Sequence, residues 1–272
     1  MIKKVILALL LMSAPAEVWA ALGAHWKLQD NAASTVVVAT VGSNGTLSDA
    51  GNTSAVSGTP GPGTALTRYM AFDGINDAIY ATTGNTAVLQ NKAAFTLCCW
   101  FRMTTTDTDS DDRLMYVSNG SATNVTRASI GCNSSGQIIC VARAGDGESA
   151  QSKTTDNSYD DSTWHHVAMV VDIAADTITI YIDGSSVSST GTISFTASST
   201  SNTASQSVTL AINNFTNPYK GRLADCRIYD SNESANLSAI MAEKDIAALI
   251  DPLSTSIPGS SADPLTGTIP GL

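Results

Sequence analysis

A chain of 272 residues carrying 14 basic and 24 acidic side chains has a formal charge of −10 and a pI near 4.5, a balance that repels phosphate backbones and argues against nucleic acid as a partner. Apolar residues make up 43% of the chain, enough for a sizeable core, and charged residues only 14%; with its abundant serine and threonine this composition suits a secreted β-protein better than a cytosolic enzyme.

The first twenty residues have the three parts of a secretory signal: Lys3 and Lys4 as a basic start, Val5 to Met12 as an apolar run, and Val18-Trp19-Ala20 as a small-residue cleavage site. The apolar run is too short to span a bilayer, and no later stretch is long and apolar enough to do so. The expected organisation is a signal peptide over residues 1–20, one domain over 21–250 and a tail over 251–272, with the mature protein outside the cell. Removing Lys3, Lys4 and Glu17 leaves 12 basic and 23 acidic residues.

From Ala24 to Asp49 the pattern predicts a short strand and polar turns, then an exposed Gly/Pro/Thr loop from Gly51 to Thr64. Strands continue to Asp230 with turn signals every eight to twelve residues, as in a sandwich or barrel. The acidic run Asp107, Asp109, Asp111 and Asp112 lacks the glycine and glutamate of a calcium-binding loop and is expected to be a solvated turn. Cys132 and Cys140 lie symmetrically about Gly136 in a hairpin pattern; they either face each other as a disulfide or remain buried free thiols. Asn44, Asn119, Asn124 and Asn214 open Asn-x-Ser/Thr acceptor sequences.

The densest apolar stretch runs from Trp164 to Gly184. Its second arm alternates, with Ile178, Ile180 and Ile182 on one face and Thr177, Thr179, Tyr181 and Asp183 on the other, as in a strand with one buried side. Its first arm is apolar on both faces, Trp164, Ala168 and Val170 against Val167, Met169 and Val171, as in a covered central strand. Trp164 is expected to fill the gap between two sheets. His165 and His166, as neighbours in a strand, face opposite sides and do not share a site. One helix is predicted after Ser234 or a neighbouring cap, with Leu237, Ile240, Met241, Ala248 and Leu249 on one face, against the edge of the sandwich. The segment "DPLSTSIPG" then repeats as "DPLTGTIPG", an extended tail that either hangs free or docks as a strap on its own or a neighbouring subunit.

Six pieces taken together resemble one family. "WHHVAMVVD…ITIYIDG", "AHWKL", "NGTL", "MAFDGINDAIY", "AFTLCCWFR" and "YKGRLADCRIYD" are similar, in order, to the strands and turns of laminin-G-like, concanavalin-A-like jelly-roll domains. The resemblance implies an all-β, two-sheet antiparallel jelly-roll sandwich with one short C-terminal helix. It implies that the His165–His166 pair belongs to the fold, and that at most one of Cys98 and Cys99 meets Cys226. It also implies a structural Ca²⁺ site, for which Asp30, Asp73 and Asp225 are the corresponding ligands.

Enzymes of this fold place two glutamates around an aspartate on one strand, because nucleophile and acid must lie about 5 Å apart. The only glutamates here are Glu17, Glu148, Glu233 and Glu243, none near another in sequence. Lyases of the fold use a Gln-Ile-His strand, and "GQIIC" has Ile139 at the histidine position. The expectation is therefore no catalysis but a secreted binding module for a glycan or surface protein, with Tyr159 and Tyr219 as exposed rings for a sugar face. The alternative is a structural subunit that assembles with copies of itself, through its tail, into a filament, surface layer or virion.

Overall fold

The computed structural model describes residues 22–30, 34–47, 57–81, 89–105, 112–118, 126–145, 147–195, 207–212 and 218–246. The signal sequence, the duplicated tail, Asp107, Asp109, Asp111, the acceptor residues Asn119, Asn124 and Asn214, and Ala248 and Leu249 lie outside these residues.

The first strands are β1 (Leu22–Trp26), β2 (Val36–Val37), β3 (Ala39–Val41), β4 (Gly45–Leu47), β5 (Ser57–Gly58), β6 (Tyr69–Asp73) and β7 (Ile79–Ala81). Longer strands follow: β8 (Ala94–Arg102), β9 (Asp112–Ser118), β10 (Thr126–Cys132), β11 (Gln137–Ala142), β12 (Gln151–Ser158), β13 (His165–Asp172) and β14 (Thr177–Ile182). The chain closes with β15 (Ser185–Ser186), β16 (Ser189–Thr190), β17 (Ser207–Leu210), β18 (Lys220–Tyr229) and the helix α1 (Leu237–Ala242), which runs into a 3-10 turn, Glu243–Asp245. All ladders among the strands are antiparallel. The first sheet has the order β15-β14-β13-β8-β18-β1-β3, with β6 also paired to β18 and β5 to β6; the second has the order β16-β12-β11-β10-β9-β17-β7-β4-β2.

This is the two-sheet antiparallel sandwich that the family resemblance implies. The longest apolar strands occupy the middle of the first sheet: β8 is buried at every position from Phe95 to Phe101, and β13 from His166 to Val171. Nearer the edge, β14 buries only Ile178, Ile180 and Ile182, as its alternation requires. Asp183 and Gly184 turn β14 into β15 with φ of 50° and 79°, a left-handed pair that Asp-Gly adopts at little cost.

Between the sheets lies one core, to which the first contributes Trp26, Phe95, Leu97, Phe101, Val167, Met169 and Ile180 and the second Met115, Ile130, Ile138 and Leu210. Trp26, not Trp164, is the tryptophan of this core: it is fully buried and its indole donates to the Ser43 carbonyl at 3.1 Å. Val167, Met169 and Val171 point inward, which turns Trp164 and Ala168 outward. Trp164 is half-buried there, its ring 5.7 Å from that of Tyr69.

The helix also departs from expectation. It covers the outer face of the first sheet, not the edge of the sandwich, pressing Leu237 and Ile240 onto Leu22, Cys98, Ala168 and Tyr229. All five cysteines are buried free thiols. Cys132 lies opposite Ile138 and Cys140 opposite Ile130, so these two cysteines are offset by the register and do not face each other. Cys99 and Cys226, from adjacent strands, do meet inside the core.

Candidate functional site

The residues singled out for ligand and metal occupy separate places. Tyr219 is fully buried, so its ring offers no face to a sugar; from beneath the first sheet its hydroxyl donates to the Arg102 carbonyl at 3.2 Å and reaches that of Arg222 at 3.5 Å. Gly221 makes room for it, since a Cβ there would stand 2.3 Å from the Tyr219 hydroxyl, and its φ of 149° suits glycine. Tyr159 is half-buried and meets the edge of His165 at 5.4 Å.

Asp73 is exposed and accepts from the Ile75 and Asn76 amides of its own turn, whereas Asp30 accepts from the Val38 amide. Asp225 is buried, bonded to His25 at 2.5 Å and to the Arg227 guanidinium at 2.8–3.1 Å. Among the described residues no three of His, Cys, Asp or Glu gather closely enough to hold an ion. With its carboxylate already neutralised by a fixed guanidinium, Asp225 is a poor calcium ligand, and the three aspartates do not fit one Ca²⁺ site.

Asp225 instead anchors a buried polar network on the outer face of the first sheet, under α1. Arg227 also pairs with Glu243 at 2.8 Å and donates to the Tyr229 hydroxyl at 3.2 Å. Burial works against the Asp225 carboxylate, but the charges of Arg227 and His25 outweigh it and hold its pKa far below the usual value. Burial, with the Arg227 charge, holds His25 down to about 4. His166 is held at about 4 by burial as well; its ring stands edge-on to Trp100 at 5.2 Å, and neither of its nitrogens has a hydrogen-bond partner.

His165, on the opposite face as the alternation requires, bonds Asp183 at 2.7 Å and Asp161 at 3.3 Å. The hydrogen bond that His165 donates to the Asp183 carboxylate is the largest cause of its raised pKa. The two histidines thus serve separate structural roles. Of the described glutamates, Glu243 pairs with Arg227, while Glu233 accepts from Asn236 at 2.7 Å and from Ser231.

Beyond the network the same outer face opens into a cleft of about 190 Å³, lined by Ala71, Phe72, Arg102, Thr104, Lys220, Gly221 and Arg222. The β8–β18 register sets Arg222 directly opposite Arg102, and the side alternation of β18 puts Lys220 on the same face. The Arg222 guanidinium lies 4.9 Å from the centre of the Tyr69 ring, which in turn meets Trp164. A wider, shallower depression of about 380 Å³ lies beside α1 between Asp183–Ser185 and Ser238–Asp245, with Met241 on its wall. Sequence reasoning passed over Arg102, Lys220 and Arg222 because they lie within motifs, "AFTLCCWFR" and "YKGRLADCRIYD", that signal strands; the alternation of Lys220 and Arg222 was the one available sign.

Residues 73–236, more than half of the chain, match the laminin G family model described as the concanavalin A-like lectin/glucanases superfamily, and the chain belongs to that family. Comparison with curated proteins gives no match. Among solved structures the fold is shared with domain 4 of AbnA, an extracellular arabinanase from Geobacillus stearothermophilus in complex with arabinotriose. The TM-score is 0.57 at 16% identity, over 81% of this chain and 98% of that one. It is shared also with botulinum neurotoxin type C, whose cell entry depends on interaction with two ganglioside molecules (TM-score 0.56, 16% identity, 83% and 51% of the two chains). A Trypanosoma rangeli sialidase in complex with a difluorinated sugar acid is a third (TM-score 0.54, 10% identity, 81% and 32%). Among the described residues no helix is long and apolar enough to cross a membrane.

Proposed function

We propose that the protein is a secreted, non-catalytic domain that binds a glycan. The observation that carries this reading is the correspondence of the chain to nearly the whole of domain 4 of an extracellular arabinanase in complex with arabinotriose. Membership of the lectin/glucanase superfamily supports it, as does the absence of any close glutamate pair in the sequence. The order of basic start, apolar run and small-residue cleavage site supports export.

The test is a glycan array probed with the purified protein, with calcium and with chelator, together with an assay for new reducing ends on every glycan bound. The reading expects binding to a defined set of glycans, equal in both conditions, and no cleavage. An array without a binder sinks it, and product release would make the protein an enzyme. N-terminal sequencing of protein recovered from the medium should begin after Ala20.

A further inference from the structure

We propose that the cleft between Arg102 and Arg222 is a subsite for one anionic substituent, a carboxylate or a sulfate, carried by a glycan; this deepens the glycan-binding reading and rests on it. Like charges directly opposite each other on neighbouring strands destabilise a sheet, and here two arginines occupy such a pair of positions in a chain whose net charge is −10. Acidic side chains abound in this protein, yet none is among the described residues that line the cleft, where Lys220 stands beside the two arginines. The Arg102 Nε is buried without a hydrogen-bond partner. An anion between the guanidiniums removes the repulsion and satisfies planar, two-pronged donors suited to a carboxylate or sulfate.

The site is also held in place. Tyr219 ties the backbones of both arginines from below, and the Tyr69 ring supports the Arg222 guanidinium from the side at 4.9 Å. Less of the binding energy is then spent on ordering these groups. At about 190 Å³ the cleft is smaller than the roughly 300 Å³ at which pockets begin to engulf a ligand, so it takes one substituent while the rest of the glycan lies outside. The acidic remainder of the protein disfavours a long polyanion such as nucleic acid.

The experiment is calorimetry of the full protein with oligogalacturonate for the carboxylate, dextran sulfate oligosaccharides for the sulfate and neutral dextran oligosaccharides as reference, repeated with Arg102→Gln and Arg222→Gln. The subsite requires that one acidic series bind the parent more tightly than the neutral one, and that each substitution weaken that binding by about tenfold or more. Each variant should still unfold in one cooperative transition without ligand, Arg102→Gln melting no lower than the parent because it removes a like-charge contact, and Arg222→Gln losing only its place over the Tyr69 ring besides; this separates loss of the site from loss of the fold. Acidic oligosaccharides that bind the variants as tightly as the parent overturn the subsite. If neutral glycans bind and acidic ones gain nothing, the subsite falls while the glycan-binding reading stands; if no glycan binds here or on the array, both fall.

Discussion

Acid should weaken this protein well before its carboxylates take up protons, and two buried histidines set the limit. His25 and His166 are held at about 4 from an ordinary 6.5, chiefly by burial, so between those values the unfolded chain binds protons that the native state refuses. Their contribution is complete above about pH 6.5 and is lost as the pH falls towards about 4. That interval corresponds to about 3 kcal/mol per histidine, and for both it rivals the whole stability of an ordinary domain. The depressed carboxyls of Asp225, Asp183 and Asp161 keep their contributions down to their ordinary range near 3.8, below this interval. His165 has the opposite sign: its raised value gives a contribution complete below 6.5 and lost as the pH rises through its folded value. Urea unfolding, followed by tryptophan fluorescence at about pH 7, 5.5 and 4.5, measures the slope. His166→Phe retains an aromatic ring beside Trp100 and removes one of the two protonation sites, so it should abolish about half of the acid loss. A midpoint unchanged between about pH 7 and 4.5, or a Phe variant with the parent's slope, would refute the reasoning.

Three further outcomes can be read by chemical denaturation. Trp26→Ala, which empties a fully buried site and removes an indole bonded to Ser43, should cost about 3–5 kcal/mol, whereas Trp164→Ala, half-buried on the outer face, should cost about 1–2 kcal/mol; equal costs would contradict the assignment of the two rings. Asp225→Asn keeps the shape but leaves Arg227 undercompensated and His25 without its carboxylate, a loss of about 3–5 kcal/mol; a variant as stable as the parent would show that the network holds nothing together. Gly221→Ala drives a Cβ against the Tyr219 hydroxyl and should cost about 2 kcal/mol or more, with weakened acidic-glycan binding if the arginine backbones shift; normal stability would mean that Tyr219 can move aside.

The sandwich was legible because its evidence is local. Alternation in β14, continuous apolar character in β8 and β13 and the Asp-Gly turn each report on a few neighbouring residues, and each corresponds to an element in the structure. What failed was the assignment of faces. In a strand apolar on both sides nothing local says which side looks between the sheets, and Trp164 went to the wrong one because the helix, the loop bearing Leu66, and Tyr69 at the start of β6 turn the outer face of the first sheet into a second buried surface. The same cover buries Asp225, which resemblance to the family had offered to a metal; the partner that commits it, Arg227, stands two residues away on β18, but His25 and Glu243 come from opposite ends of the described chain.

The cationic cleft shows a different limit. Lys220 and Arg222 are visible as a same-face pair, but Arg102 joins them only through the register of β18 on β8, and that register shifts at a bulge between Ala224 and Arg227. The bulge lets Asp225 and Arg227 both face the buried network while Cys226 turns into the core to meet Cys99. Strict alternation cannot put two residues separated by one on the same side as Arg222 when their numbers differ from it in parity, so the irregularity at Asp225, with its φ of 55°, is what allows one strand to present an open cationic stretch and then a closed ionic one. In the closed stretch each charge has a partner within the protein, whereas in the open stretch two arginines occupy opposed positions and no acidic side chain is among the described residues of the lining. That difference between adjacent parts of one face is the physical reason to test the open stretch with anions from solution.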